Sequence, residues 1–197
     1  MIKIGILGDI GSGKSFIAKS FGYPVFNADN EVSKLYQTDK KIFNKLNKVL
    51  PKYFKQFPIN KSQVLNAILE NKTNLKKIIR IVHFEVKKKM KSFVLKNKKK
   101  KLIILDIPLL LENKINDKNF ILIFVQSKRT EILKRLKKRK NYNQKILKLF
   151  KDIQLPLDYK KKKSQFIIKN NFSKKSAKRS IKKILNEISN ERNYIRY

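Results

Sequence analysis

Residues 8–15, with the sequence GDIGSGKS, give the strongest chemical signal in the chain. They contain three of the five glycines and place a lysine and a serine directly after the last of the three. The spacing is G-x-x-x-x-G-K-[ST], in which successive backbone N–H groups curl around a phosphate and the following helix N-terminus adds partial positive charge. An ordinary turn needs one or two glycines and no lysine at a fixed offset. The segment therefore predicts a site for a nucleoside triphosphate.

Individual positions of this loop have expected roles. Lys14 should reach the β- and γ-phosphates, and the hydroxyl of Ser15 should occupy one position on Mg²⁺. Gly11 and Gly13 allow the backbone to approach the phosphates. The residues assigned to nucleotide binding in the loop are Asp9, Ile10, Gly11, Ser12, Gly13, Lys14 and Ser15. A nucleoside triphosphate and Mg²⁺ are thus the expected ligands.

The elements around the loop indicate an α/β fold. An apolar run precedes the loop and a helical pattern follows it, as the motif requires. The later apolar runs are continuous, which is typical of parallel strands buried on both faces. Strands are predicted at 2–7, 24–26, 102–105, 120–125 and 166–168, and helices at 15–21, in pieces over 30–96, after a cap at Ser127 or Thr130, at 144–153 and at 173–188. The sequence predicts a P-loop NTPase fold, with a parallel sheet flanked by helices.

We expect a single domain from the 197 residues. Its predicted core comprises about 1–29, 100–134 and 164–190, with a helical insertion at about 30–96 and a lid at about 135–160. The absence of cysteine excludes a disulfide framework, a thiolate metal site and a cysteine nucleophile. The apolar run over 102–111 is shorter than the ~20 residues of a membrane span. We therefore expect a cytoplasmic protein that does not bind membranes.

The net charge of +36, from 50 basic and 14 acidic residues, raises the question of a nucleic-acid partner. Only seven of the basic residues are arginines, whereas recognition of bases and phosphates usually relies on the planar arginine fork. The lysines are spread along the chain, and no aromatic-basic stretch forms a stacking platform. We expect a solvated basic surface, no specific nucleic-acid partner, and a monomer or weak oligomer.

Five features together resemble the dephospho-CoA kinases in order and spacing. They are GDIGSGKS, VFNAD at 25–29, LDIPLLLEN at 105–113, the pair Arg135 and Arg139, and QFIIKN at 165–170. The resemblance covers nearly the whole chain. It implies transfer of the γ-phosphoryl group of ATP to the ribose 3′-hydroxyl of dephospho-CoA, the last step of coenzyme A synthesis. Another P-loop nucleotide or small-metabolite kinase is the alternative, and the charge alone favours a nucleic-acid-binding NTPase.

Two acidic residues follow or end predicted strands. Asp29 follows the second strand, at the carboxyl end of the sheet, where the ligands of open α/β sheets gather. Under the resemblance it faces the acceptor hydroxyl and accepts its proton, and the alternative is an N-cap for the next helix. Relatives carry Asp at the position of Asn27, so the base role falls to Asp29 alone. Asp106 ends the third strand and is expected to hold Mg²⁺ together with Ser15.

On the acceptor side, the resemblance implies substrate contacts from Asp29, Lys34, His83, Pro108, Leu109 and Glu112. The chain departs from the family pattern where Phe84 replaces the proline of a His-Pro pair and Ser33 replaces an arginine. Lys34 is the expected substitute for binding the acceptor pyrophosphate. Alternatively, His83 is structural, Leu109 is a packing residue and Glu112 is a surface acid.

Arg135 and Arg139 are four residues apart on one helical face and match the family's lid. Such a pair can neutralise charge on the transferred phosphoryl group while the lid excludes water. Both could instead be surface residues, but arginine in a lysine-rich chain favours bidentate phosphate contact. Asn170 resembles the residue near the adenine, with an ordinary turn asparagine as the alternative. The expected catalytic residues are Asp29, Lys14 and Arg139.

Overall fold

The computed structural model describes residues 1–115, 119–139 and 142–194 and has a five-stranded sheet at its centre. The strand order is β2-β3-β1-β4-β5. The strands are β1 Ile2–Gly8, β2 Val25–Asn27, β3 Leu102–Asp106, β4 Phe120–Gln126 and β5 Phe166–Lys169. The pairs β1–β3, β1–β4 and β4–β5 are parallel, and Gly5 lies opposite both Leu105 and Leu122. The parallel sheet predicted from the continuous apolar runs is confirmed.

The described helices fall into two compact units. They are α1 Lys14–Ser20, α2 Ala28–Thr38, α3 Lys40–Val49, α4 Lys61–Glu70, α5 Lys72–Lys96, α6 Arg129–Lys137, α7 Gln144–Asp152, α8 Leu157–Lys162 and α9 Lys174–Tyr194. The first unit contains most of the sheet together with α1, α6, α8 and α9. The second unit contains α2 to α5 and α7, from 27–98 and 141–154.

In the first unit, α1 and α9 form the core with the sheet. Ile17 and Ala18 of α1 and Ile181 and Ile184 of α9 pack in one cluster with buried side chains of the strands, such as Ile4. Each such aliphatic side chain contributes about 1.5–3 kcal/mol when it is removed from water. This packing holds the end of β1 and the start of α1 in place, and the glycine-rich loop runs between them.

In the second unit, α5 is the helix against which α2, α3 and α4 pack. Its buried side chains recur every three or four residues, as one face of a helix requires: Leu75, Ile78, Val82, Val86 and Met90. Side chains of Asn60, Asn71 and Asn143 cap α4, α5 and α7 by accepting hydrogen bonds from first-turn backbone N–H groups. Several helix starts of the asparagine-rich chain are therefore set locally by its own sequence.

Two details differ from the expectations. Helix α8 was not predicted, and three of its six residues are lysines. The predicted side-chain cap of α6 is wrong: Lys128 occupies the N-cap position without a side-chain hydrogen bond. Within the range expected as a lid, the end of α6 belongs to the first unit, and α7 packs with α4 in the second; the lid role stays a prediction. Among the described residues, no helix is both long enough and apolar enough to cross a membrane.

Candidate functional site

The glycine-rich loop between β1 and α1 can be built only with glycine at critical positions. Gly13 has φ 90° and Gly11 has φ 85°, in the left-handed region. A Cβ on Gly13 would lie 2.4 Å from Nδ2 of Asn170, and one on Gly8 would lie 2.5 Å from the carbonyl oxygen of Val125. Glycine is therefore required at these positions by backbone conformation and by close protein neighbours, and a glycine-rich loop before a helix is what a phosphate site uses.

Lys14 folds back over this loop. Its Nζ donates hydrogen bonds to the carbonyl oxygens of Asp9, at 2.8 Å, and Gly8, at 3.2 Å. The Asp9 carboxylate accepts from the backbone N–H of Ile10 at 2.7 Å. Lys14 thus keeps its ammonium group within the loop, where it can meet phosphate oxygens.

Two side chains, from the residues that follow β4 and β5, hold the glycine-rich loop in place by hydrogen bonds to Ser12. The carbonyl oxygen of Ser12 accepts hydrogen bonds from Nδ2 of Asn170 and from Oγ of Ser127, both at 2.8 Å. Oδ1 of Asn170 in turn accepts from the backbone N–H of Phe172 at 2.9 Å. The Asn170 amide therefore holds the loop through Nδ2, while its Oδ1 makes a local turn contact at i+2. The turn role of Asn170 is present alongside the loop contact, and the expected contact with adenine stays a prediction.

Helix α6 lies directly against the loop. Side chains of Ile132 and Leu136 would be 3.0–3.1 Å from a Cβ on Gly11, so glycine allows the helix to pack closely. On the same helix, Cζ of Arg135 lies 4.0 Å from the ring centroid of Phe172, which is cation–π geometry. Arg135 thus contacts a residue next to the loop, and both Arg135 and Arg139 are exposed. Their lid role stays a prediction.

Sequence reasoning missed Ser127 and Phe172 as parts of this site. Ser127 was considered only as a helix cap, and its single O–H is instead shared between the carbonyl oxygens of Ser12, at 2.8 Å, and Asn170, at 3.0 Å. Phe172 has φ 63°, and a Cβ on Gly13 would lie 2.8 Å from its ring. The position of Ser127 directly after β4 was the one available signal, because loops after parallel strands surround the ligand in open sheets.

A divalent cation has suitable oxygen ligands near the loop. Asp106 is the last residue of β3, is 3% exposed and lies on the strand next to β1. Ser15 is exposed in the first turn of α1. Carboxylate and hydroxyl oxygens are what Mg²⁺ prefers. Among the described residues no three His, Cys, Asp or Glu side chains cluster in a way that could hold a metal.

The start of α2 places Asp29 on the surface. The helix is capped by Asn27, whose Oδ1 accepts from the backbone N–H of Asn30 at 2.8 Å. Asp29 lies inside the first turn and is exposed. The alternative that Asp29 is the N-cap is therefore wrong. The swap from Asp to Asn at position 27 is compatible with this cap, because an amide oxygen accepts as well as a carboxylate oxygen does.

Two further residues of the second unit were expected on the acceptor side. Nζ of Lys34 pairs with the Glu31 carboxylate at 2.8 Å, in an exposed i,i+3 ion pair. Nε2 of His83 is buried and has no hydrogen-bond partner among the described residues. Burial, and then the charge of Lys87, lower the pKa of His83 below its ordinary value. His83 is accordingly neutral at physiological pH.

The turn after β3 contains the remaining expected residues. Pro108 and Leu109 are partly buried, and the carbonyl oxygen of Leu109 accepts from Nδ2 of Asn113 at 2.8 Å. Glu112 forms an ion pair with Lys160 that is almost fully buried, so the alternative of a surface acid is wrong. Its expected contact with the acceptor stays a prediction.

Known proteins match this chain over most of its length. The profile of the family described as dephospho-CoA kinase matches residues 2–176. The chain belongs to the dephospho-CoA kinase family. A relative named dephospho-CoA kinase from Wolbachia pipientis wMel is 34% identical over 191 residues, covering 94% of this chain and 97% of the relative. Another of that name, from Wolbachia sp. subsp. Brugia malayi, is 35% identical with the same coverage.

Solved structures share the fold of this chain. A crystal structure of a Thermus thermophilus protein has a TM-score of 0.73 and 25% identity, covering 94% of this chain and 97% of that one. A dephospho-CoA kinase from Campylobacter jejuni has a TM-score of 0.59 and 23% identity, covering 94% and 96%. A shikimate kinase from Acinetobacter baumannii has a TM-score of 0.53 and 14% identity, covering 97% and 94%. The last two likenesses show the fold alone, which is that of P-loop kinases.

The dephospho-CoA kinase motifs are divided between the two units. The first unit brings together the glycine-rich loop, Arg135 and Asn170. Pro108, Leu109 and Glu112 also belong to the first unit. Asp29, Lys34 and His83 belong to the second unit. The roles of all these residues stay predictions.

Proposed function

We propose that this protein transfers the γ-phosphoryl group of ATP to the ribose 3′-hydroxyl of dephospho-CoA, giving coenzyme A and ADP. The observation that supports this most is the combination of a sterically required glycine-rich loop with a family match over residues 2–176. The family uses a nucleotide and a small-molecule acceptor. The reaction would be the final step of coenzyme A biosynthesis. Cytoplasmic location and a monomeric or weakly oligomeric state stay predictions.

On the donor side, residues of the first unit would bind and neutralise phosphates. Backbone N–H groups of the loop and the ammonium of Lys14 would bind the β- and γ-phosphates, and Arg135 and Arg139 would close over them. Ser15 and Asp106 would hold Mg²⁺. The metal, when bound to ATP, supplies positive charge that stabilises the developing negative charge of the transferred group. Positive charge of this kind accounts for most of the catalysis in phosphoryl transfer.

On the acceptor side, Asp29 would orient the 3′-hydroxyl and accept its proton late in a loose transition state. Two findings support this role. The residue is exposed in the first turn of α2, and Asn27 already caps that helix. Lys34 would meet the acceptor pyrophosphate after leaving its weak, exposed pair with Glu31. His83, Pro108 and Leu109 would line the acceptor site.

The test is a transfer assay in which ADP formation is measured with dephospho-CoA, AMP, adenosine, shikimate or single-stranded DNA as acceptor. We expect turnover with dephospho-CoA alone, confirmed by mass spectrometry of the product. Preferential turnover with AMP, adenosine or shikimate would instead establish another P-loop kinase. Stimulation by DNA would support a nucleic-acid-dependent NTPase.

The Lys14→Ala variant tests the loop in the same assay. Loss of one transition-state donor should lower kcat by about 10²–10³-fold. The fold should persist, because Lys14 is only partly buried and contacts backbone carbonyls. Lys19→Ala, an exposed lysine on the same helix, is the matched control and should keep normal turnover. Near-normal turnover of Lys14→Ala would overturn the assignment of the loop.

A further inference from the structure

Lys160 is the exceptional basic residue of this chain. The chain has 50 basic residues. The side chain of Lys160 is only 1% exposed, and no other Lys or Arg in the described part of the chain is buried. An ammonium group is costly to bury unless a carboxylate pairs with it. Lys160 has such a partner, because its Nζ lies 2.6 Å from Oε1 of Glu112, whose side chain is 10% exposed.

The Glu112 carboxylate depends on two contacts. Besides Lys160, Oε1 accepts a hydrogen bond from the backbone N–H of Leu155 at 3.0 Å. Oε2 is buried without a hydrogen-bond partner among the described residues. Removing Lys160 would therefore leave a buried negative charge supported by a single backbone hydrogen bond. Breaking a buried pair on one side in this way is far more damaging than removing both charges.

The ion pair connects the turn that follows β3 with helix α8. Glu112 lies in the turn that follows β3, and β3 ends at Asp106, the expected Mg²⁺ ligand. Leu155 is the residue at which the chain returns to the first unit after α7, and Lys160 follows on α8. Lys160 is itself anchored at its backbone, because its carbonyl oxygen accepts from Oγ of Ser164 at 2.8 Å.

We propose that the Glu112–Lys160 ion pair is a positioning device, which ties the turn after Asp106 to the start of α8 and so sets the acceptor-side geometry for phosphoryl transfer. This inference rests on the proposed function. A buried ion pair adds little net stability compared with apolar residues of similar size, so stability alone does not explain it. A directional pair does fix one relative placement of the two segments, and misplacement of about 1 Å can cost about 10²-fold in rate.

The test compares wild type with three variants of the full chain. Lys160→Met removes the cation but keeps the length of the side chain. Glu112→Gln/Lys160→Met removes both charges at nearly constant volume. Lys161→Met, at the exposed neighbouring lysine of α8, is the matched control. Melting temperature, kcat and KM for both substrates, and amide exchange of residues 107–115 and Leu155 are measured for each.

We expect Lys160→Met to have the lowest melting temperature, and the double variant to regain most of that loss. We expect kcat with dephospho-CoA to stay about 10–100-fold below wild type in both variants, while KM for ATP and the control variant are unchanged. Because Glu112 is itself an expected acceptor contact, the kcat of Lys160→Met and the amide exchange, not the kcat of the double variant alone, assign the loss to the ion pair. Amide exchange at 107–115 and Leu155 should be faster in both. Recovery of kcat in parallel with the melting temperature would reduce the pair to a structural contact and overturn the proposal.

A failure of the proposed function can be told apart from a failure of the positioning role. If wild type transfers no phosphoryl group to dephospho-CoA, the function is wrong, and amide exchange still tests the tie between the two segments. Equal exchange in wild type and Lys160→Met would then overturn the positioning role as well.

Discussion

Asn27 and Asp29 lie at the start of α2, where the sequence alone left two alternatives for Asp29. An aspartate directly after a strand and at the start of a helix can be either a catalytic acid or an N-cap. The structure gives the cap to Asn27, through its hydrogen bond from the N–H of Asn30. The side-chain cap of α2 is therefore made by Asn27, and Asp29 lies in the first turn. Substitution of Asp29 by asparagine leaves that cap in place.

We predict that Asp29→Asn impairs phosphoryl transfer far more than ATP binding. The amide keeps the size of the side chain but cannot accept the proton, and a general base contributes about 10²–10⁴-fold. The loss should appear in kcat with dephospho-CoA, while ATP affinity measured by calorimetry stays near wild type. Glu31→Gln removes another carboxylate from the same turn and serves as the control. Close to normal turnover of Asp29→Asn would move the base role to another carboxylate, with Asp106 the next to test.

His83 should make the stability of the protein sensitive to mild acid. Its pKa is lowered in the folded state, first by burial and then by Lys87. As the pH falls, His83 takes up a proton in the unfolded chain at a higher pH than it does in the folded protein. The free energy of unfolding therefore has its full value above the ordinary histidine pKa of about 6.5 and decreases below it. His83→Gln should melt with a smaller difference between about pH 7.5 and about pH 5.5. Identical pH dependence of the melting temperature in the variant and wild type would contradict this.

At the scale of elements, the glycine-rich loop is held by hydrogen bonds from residues after two other strands, as well as by its own glycines. Ser127 follows β4 and Asn170 follows β5, and both donate to the carbonyl oxygen of Ser12. The ends of three parallel strands are thereby linked through one peptide group. The loop is preorganised before any phosphate binds, which lowers the entropic cost of binding.

Asn170→Ala tests this brace. The variant loses the donor to Ser12 and the acceptor for Phe172, so the free energy of unfolding should fall by about 1–3 kcal/mol. ATP affinity should fall with it, because the loop is less ordered before binding. Denaturant unfolding and calorimetry measure the two effects, and Asn171→Ala, at the exposed next residue, is the control. An unchanged ATP affinity would show that the brace does not preorganise the loop.

The strands and the loop were predictable because each depends on a local pattern. Continuous apolar runs marked β1, β3 and β4 within one or two residues, and the motif spacing fixed the loop. The buried pair was not predictable, because Lys160 lies in a run of four lysines and nothing local distinguishes it from its exposed neighbours. Its burial depends on Glu112, a contact between residues distant in sequence. The brace by Ser127 likewise depends on three segments meeting, which no single stretch of sequence reveals.

For the whole molecule, the structure separates an apolar interior from a basic exterior. The core of the sheet is built from isoleucine, leucine, valine and phenylalanine, and the described lysines other than Lys160 are not buried. The basic side chains of the described residues are therefore almost all accessible to water, in a chain whose net charge is +36. Such a surface attracts anions of every kind, including ATP and nucleic acids, by a long-range field that salt screens.

The last prediction follows from that surface. If the lysines form only a solvated basic surface, binding to duplex DNA should be weak and independent of base sequence. The affinity should fall by about 10³-fold or more between about 50 and 200 mM salt, because added salt opposes the release of counterions from the DNA. Fluorescence anisotropy with two unrelated duplexes measures this, and kcat at saturating substrates serves as the control because it should change little over the same range. Tight binding that survives salt and prefers one duplex would require a dedicated interface, and would favour the nucleic-acid-binding NTPase over a metabolite kinase.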